Sequence, residues 1–195
     1  MQKLLETVKI IDGQAQYLEF HQTRMQRSCT QLNIAERAPD LKLALLNAPE
    51  NGEFRARIVY EQYIETVEYF PIVARNFQRF KWVKADTLEY RCKFLNRDAI
   101  NQLVAEKGTA DDVLFVKNGL ITDTSIANVA FFDGIQWVTP HFPLLEGTTR
   151  ARLLQSRELH LMDITPAMLP SFEKMALCNA ILGFWVLDKF EIVHF

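Results

Sequence analysis

The chain has 195 residues, 49% apolar and 24% charged, enough apolar material for one sizeable domain or two small ones. Its 22 basic and 24 acidic residues leave a net charge of −2 with no block of like sign, which disfavours nucleic acid and anionic membrane surfaces as partners. No apolar run approaches the roughly 20 residues of a spanning helix, and the opening MQKLLETVKIIDGQ lacks the long apolar stretch of a secretory signal, so a cytoplasmic protein is expected.

LLETVKIIDGQAQYLEF predicts two strands joined at Asp12-Gly13, a pair suited to the positive φ angles of a tight hairpin. From Glu19 to about Asn33, Phe20, Met25, Cys29 and Leu32 recur at helical spacing and predict one buried stripe. Asp40 to Asn47 suits a short helix, closed by Ala48-Pro49-Glu50-Asn51-Gly52. FRARIVY, IETVEYFPIV and FQRFKWV then alternate apolar and polar residues and predict three strands of one small α+β unit. After the polar stretch Lys84 to Tyr90, a helix is expected from about Leu95 to Glu106, stopped at Gly108. DDVLFV, LITD, ANVAFF and QWVT follow as short strands with turns at Asn118-Gly119 and Asp133-Gly134. Thr148 to Leu159 returns to helical spacing, and MALCNAILGFWVLD with EIVHF closes the chain as buried strands. The expected division is an α+β N-terminal domain over 1–86 and a strand-rich C-terminal domain over 87–195.

Cys29, Cys92 and Cys178 are odd in number and far apart, and His21, His141, His160 and His194 are equally scattered. Neither set has the spacing of a disulfide framework or a metal site, so buried thiols and no metal are expected.

Ile121 to Leu154, ITDTSIANVAFFDGIQWVTPHFPLLEGTTRARLL, resembles the signature region of the class IV aminotransferases, where a TEG-SSN-type loop leads to an LPGITR-type helix start. LLETVKIIDG and HQTRM near the start, KFLNR at Lys93 and ALCNA at Ala176 resemble the family in the same chain order. The resemblance implies a two-domain D-amino acid aminotransferase-like fold, here with a shortened N-terminal domain. It also implies pyridoxal 5'-phosphate held between the domains, and a homodimer.

Lys93 matches the lysine that forms the Schiff base with the cofactor aldehyde and then shuttles protons at the substrate α-carbon, work that requires a deprotonated amine. Asp123 stands where the family usually has a glutamate facing the pyridine nitrogen; its negative charge would keep that nitrogen protonated, although the side chain is one methylene shorter. The alternative is a turn aspartate bonding the amides of Thr124 or Ser125. Leu145, Gly147, Thr148 and Thr149 match the helix start that binds the cofactor phosphate, a place where free amides and the helix dipole favour an anion. Gly-Thr-Thr before a helix is otherwise a plain cap. Arg24 matches an arginine that bonds the same phosphate, and Asn179 falls at a small polar position near it. His21 is assigned no role, and the tyrosine facing the cofactor's phenolic oxygen is left among Tyr60, Tyr63 and Tyr69.

The family implies two endings from one beginning, transamination of D-amino or branched-chain amino acids, or elimination of pyruvate from 4-amino-4-deoxychorismate. LCNA and KFLNR lean toward the lyases. A non-catalytic cofactor-binding scaffold is the reading from another class. Arg55 and Arg57 share a face of a predicted strand and could receive a substrate carboxylate, or could instead mark an exposed sheet edge.

Overall fold

Strand β1 (Leu4–Ile11) alternates buried and half-buried residues along its whole length, and this period-2 pattern builds the first of two sheets. The computed structural model describes residues 2–193. The chain divides into two units, Met1–Ala74 with Cys92–Asn96, and Arg75–Arg91 with Arg97–Phe195.

In the first unit, Asp12 and Gly13 both take positive φ (46° and 77°), so β1 returns immediately as β2 (Gln14–Ala15). Such a turn matches the twist of the flanking strands. β3 (Glu53–Tyr60) runs antiparallel to β1 from Leu4↔Tyr60 to Ile11↔Glu53, and β4 (Ile64–Pro71) completes the order β2-β1-β3-β4. Helix α1 (Leu18–Gln31) and the short α2 (Leu41–Ala44), capped by the Asp40 carboxylate, complete this unit. Leu4, Val8 and Ile10 from β1, Met25 and Cys29 from α1, and Ala56 and Ile58 from β3 form its core. The buried stripe of α1 is wider and more polar than its apolar spacing suggests: Met25 and Cys29 are buried with His21, Arg24 and Ser28, whereas Phe20 and Leu32 are only half-buried.

The second sheet has the order β10-β9-β8-β7-β6-β5-β13, with the hairpin of β11 and β12 attached to β8. β5 (Arg79–Lys84), expected beside β3 and β4, lies parallel between β6 (Asp112–Lys117) and β13 (Glu191–Val193). Alternation fixes which faces a strand buries but not which strand it joins. The expected break at 86/87 therefore falls inside the second unit, and helix α3 (Asp98–Ala105) lies in the crossover that a parallel β5–β6 pair requires. His194 and Phe195 of the expected last strand lie outside the described residues.

β7 (Leu120–Thr124), β8 (Asn128–Phe132) and β9 (Trp137–Pro140) are antiparallel neighbours. β9 then pairs in parallel with β10 (His160–Met162), a strand that patterning did not indicate. The same rule demands a crossover here, supplied by 141–147 and helix α4 (Thr148–Gln155), which puts the start of α4 downstream of the C-terminal end of β9. β11 (Lys174–Asn179) pairs with β8, and β12 (Gly183–Val186) pairs with β11. Phe80, Leu114, Val129, Phe131, Val138, Met175 and Leu177 fill the core. Among the described residues, no helix is long and apolar enough to cross a membrane, and no cluster of three metal-ligating side chains occurs. The three cysteines are free and buried.

Candidate active site

The polar centre of the second unit begins with the connection between β7 and β8. Thr124 N–H donates to Ala127 O at 2.9 Å, and this tight closure sets Asp123 directly opposite Asn128. Opposed residues of antiparallel strands project their side chains to the same face, and both are buried. Asn128 Nδ2 donates to Asp123 Oδ1 at 2.6 Å, and the backbone N–H of Leu145 donates to Asp123 Oδ2 at 3.0 Å. Asp123 is thus not a turn aspartate serving its neighbours' amides; it reaches across to the segment preceding α4. Burial pushes its carboxyl up to about 6, against the Asn128 and Leu145 bonds and the positive charge of Arg150. It is an anion at neutral pH.

Asn128 makes two further bridging contacts through the same amide. Nδ2 also donates to Leu145 O at 2.8 Å, and Oδ1 accepts from the Gly147 N–H at 3.1 Å. These partners fix the amide's orientation, because turning it over would set NH2 against the Gly147 N–H. Gly147 precedes α4 with φ −68°, an angle open to any residue. Glycine is required for space: a Cβ there would overlap Asn128 Oδ1. The bare side of this glycine therefore faces the asparagine.

Thr148 and Thr149 form the first turn of α4 and are buried. Their amides lie where no preceding carbonyl of the helix can reach them, at the positive end of its dipole. Arg150 follows, buried, with Nη2 donating to Pro140 O at 2.7 Å, so its guanidinium secures the end of β9, while its Nε has no hydrogen-bond partner. Asn179 closes the turn after β11, accepting from the Ile181 and Leu182 amides at 2.9 and 2.8 Å and donating to Ile126 O at 3.2 Å. That last bond holds the β7–β8 connection. An anionic carboxylate near an electropositive helix start suits a ligand with a protonated nitrogen at one end and a phosphate at the other, which pyridoxal phosphate is.

Lys93 belongs to the first unit. Its carbonyl accepts from Leu5 N–H at 2.8 Å, Leu95 N–H donates to Lys3 O at 2.9 Å, and Phe94 bridges Leu4, so the segment Cys92–Asn96 lines the start of β1. These bonds explain why the lysine sorts with the N-terminal strands, although its sequence position lies past residue 86. Its side chain is half-buried.

Arg24 is buried on α1 and grips Glu6 of β1 with two bonds, Nε to Oε1 at 2.9 Å and Nη2 to Oε2 at 2.6 Å. His21 Nδ1 lies 2.7 Å from Glu6 Oε2. Glu6 is fully buried; burial alone raises its pKa, but the Arg24 charge and the bonds from His21 and Arg24 prevail and bring it down to about 2. Tyr60 is buried in the same core with its phenol pushed up by burial, Tyr63 is exposed and Tyr69 is half-buried.

Arg55 and Arg57 do share a face of β3. Arg57 donates to Glu68 at 2.6 Å across to β4, and the Arg55 guanidinium lies over the Phe70 ring at 5.0 Å. β3 lies between β1 and β4, so the edge-strand reading of this pair does not apply. Asn128 and Glu6 are the residues that sequence reasoning passed over. Asn128 ends the very loop quoted as TEG-SSN-like, and Glu6 is a carboxylate on the buried face of β1, each a signal open to a closer reading.

A family model described as Amino-transferase class IV matches residues 3–189. A Haemophilus influenzae protein, named only "Uncharacterized protein", is 33% identical over 187 residues, 94% of this chain and 100% of its own. A crystal structure named as a "putative 4-amino-4-deoxychorismate lyase" from Haemophilus somnus superposes with a TM-score of 0.83 at 31% identity, covering 94% of this chain and 98% of that one. Another, named as a "Putative amino-acid aminotransferase" from Mesorhizobium loti, superposes with a TM-score of 0.82 at 22% identity and covers 99% and 100% of the two chains.

Proposed function

Because this chain belongs to the class IV aminotransferases, a family of pyridoxal-phosphate-dependent aminotransferases and lyases, we propose that Lys93 is the lysine through which it acts on an amino-acid-like substrate. The observation that carries the reading is the buried Asp123 carboxylate, anionic at neutral pH and tied through Asn128 to the start of α4. Bound pyridoxal phosphate supplies an aldehyde that captures amines and a ring that, when protonated, draws electron density from the substrate α-carbon.

The chain's own residues do the rest. Asp123 holds the proton on the ring nitrogen by its negative charge. Thr148 and Thr149 bind the phosphate through first-turn amides and hydroxyls, helped by the dipole of α4, and Leu145 and Gly147 hold that turn in place. Arg24 adds a charge-assisted bond to the phosphate, its guanidinium oriented by Glu6. Asn179 secures the β7–β8 connection beside them. Lys93 is the residue whose amine would hold the cofactor aldehyde, and the same amine, when free, would take the proton from the substrate α-carbon. Arg55 and Arg57 receive the substrate carboxylate, and the active protein is a homodimer.

Elimination of pyruvate from 4-amino-4-deoxychorismate is the preferred ending. The LCNA and KFLNR motifs and the name of the relative of 31% identity support it. Transamination of D-amino or branched-chain amino acids is the second reading, favoured by the family's aminotransferase members. Purified protein incubated with pyridoxal phosphate, reduced with borohydride and digested is expected to carry the cofactor mass on the peptide containing Lys93, with none in Lys93→Ala. Absence of label at Lys93 in the folded protein overturns the proposal. Given label, pyruvate release from aminodeoxychorismate against keto-acid formation from D-alanine or L-leucine separates the two endings, and neither product indicates a binding scaffold.

A further inference from the structure

One side chain in the second unit does three jobs at once. Asn128 donates to the Asp123 carboxylate and to Leu145 O, and accepts from the Gly147 N–H at the threshold of α4. Leu145 N–H closes the loop by donating to the other oxygen of Asp123. The carboxylate, the segment 145–147 and the start of α4 are therefore held in one hydrogen-bonded ring whose hub is a single amide. Gly147 fits around that hub with no room for a Cβ. Aspartate at 123 has one methylene fewer than glutamate, so its carboxylate stays close to its own strand, within reach of a residue directly opposite.

We propose that Asn128 is a positioning residue that couples the two ends of the cofactor site, holding the Asp123 carboxylate in its charged form and the α4 start at a fixed spacing from it. The inference rests on the cofactor reading above and extends it to a residue that touches neither substrate nor reacting atoms. Asn128 is suited to this because its amide offers two N–H donors, one to the carboxylate and one to Leu145 O, together with an acceptor for the Gly147 amide; alanine offers none of these, and a serine hydroxyl has a single donor. The other groups acting on Asp123 are the Leu145 and Leu144 amides and the Arg150 charge from α4, while the Cys178 thiol from β11 is itself pushed up to about 12 by burial and stays neutral.

The test needs a readout that loss of structure alone would not move. In the cofactor-free protein labelled with 13C-aspartate, the Asp123 carboxyl resonance, assigned by its disappearance in Asp123→Asn, is followed against pH. In Asn128→Ala the midpoint is expected to move upward by about one pH unit, because a donor to the charged form is lost while burial remains. Equilibrium dialysis against pyridoxal phosphate at pH 7 is expected to show about tenfold weaker binding, the loss of one charge-assisted hydrogen bond. An unmoved midpoint in a variant with wild-type circular dichroism and melting overturns the proposal.

Should Asn128→Ala fail to fold, Asn128→Asp carries the test. It retains the acceptor for Gly147 but sets a second carboxyl against Asp123, and the pair is then expected to hold one shared proton well above the wild-type midpoint. Two carboxyls titrating independently near the wild-type midpoint would refute the coupling. If the midpoint moves as expected while not even the wild type binds pyridoxal phosphate, the hub stands and the cofactor reading falls. If the cofactor binds wild type and variant equally and the midpoint is unmoved, the cofactor reading stands and the hub falls.

Discussion

Glu6 in the first unit and Asp123 in the second are both buried carboxylates, and their protonation equilibria are displaced in opposite directions. Burial raises both, and is the largest single influence on each. At Glu6 it is overcome by the Arg24 charge and by bonds from His21 and Arg24, leaving the carboxyl down at about 2. At Asp123 the direct donors, the Asn128 amide and the Leu145 and Leu144 N–H groups, are neutral, so burial prevails and the carboxyl rises to about 6. Formal charge in direct contact, more than the number of hydrogen bonds, decides the sign. The first arrangement locks a charge into the scaffold, whereas the second leaves a carboxyl whose ionisation is set by burial against neutral donors.

The comparison is tested most severely by removing the charge that makes Glu6 different. Glu6→Gln leaves the Arg24 guanidinium buried without its carboxylate, and breaking a buried pair from one side costs about 3–5 kcal/mol. Urea unfolding at pH 7 measures it. A loss below about 1 kcal/mol would mean that the pair is not what holds α1 to β1, and the contrast with Asp123 would lose its energetic basis.

The opposite shifts of Glu6 and Asp123 give stability opposite dependences on pH. Glu6 folds with a pKa of about 2 against an ordinary 4.5, so its contribution is fully present above pH 4.5 and is lost as pH falls toward 2. Asp123 folds with a pKa of about 6 against an ordinary 3.8, so its contribution is present below pH 3.8 and is lost as pH rises through 6. Each swing is on the order of 3 kcal/mol. Stability of the cofactor-free protein should therefore be greatest near pH 4 to 5 and decline on both sides. Melting curves collected across pH 2 to 8 check this, and Asp123→Asn should remove the decline between pH 4 and 6 while leaving the acid limb intact. If the variant keeps both limbs, the higher limb belongs to another group. Were the two units to melt separately, the acid limb should follow the unit containing Glu6.

Local patterning foretold most of the elements but not their partners. The Asp12-Gly13 hairpin, α1 and the strand run from β6 to β9 follow from turn residues and periodicity, which act over a few positions. The placement of β5 beside β6 and β13 is a long-range choice that the alternation in FQRFKWV cannot express. The same limit applies to the site. The helix start at Thr148 and Thr149 was legible from local spacing, whereas the candidate roles of those residues, of Asp123 and of Lys93 come through the resemblance. Asn128 gains its role only when β8 is set against β7 and Gly147 is brought onto its amide. Glu6 was within reach, since a carboxylate in the buried phase of L-x-E-x-V-x-I demands a cation, and Arg24 lies on the next helix.

The mildest test moves the ion pair into water. Arg57 and Glu68 meet at 2.6 Å across β3 and β4 with side chains 33% and 47% exposed, a spacing like that of Arg24 and Glu6 without the burial. Exposed pairs are screened and cost side-chain entropy to hold, so Arg57→Ala should change stability by no more than about 0.5 kcal/mol. That near-neutrality makes the variant a clean probe of function, because any kinetic change is then free of unfolding. If Arg57 receives the substrate carboxylate, KM should rise several-fold with kcat largely retained, the mark of binding lost equally from ground and transition states. An unchanged KM on every substrate turned over would return Arg57 to Glu68 alone. It would leave β3 with no part in substrate binding through this residue.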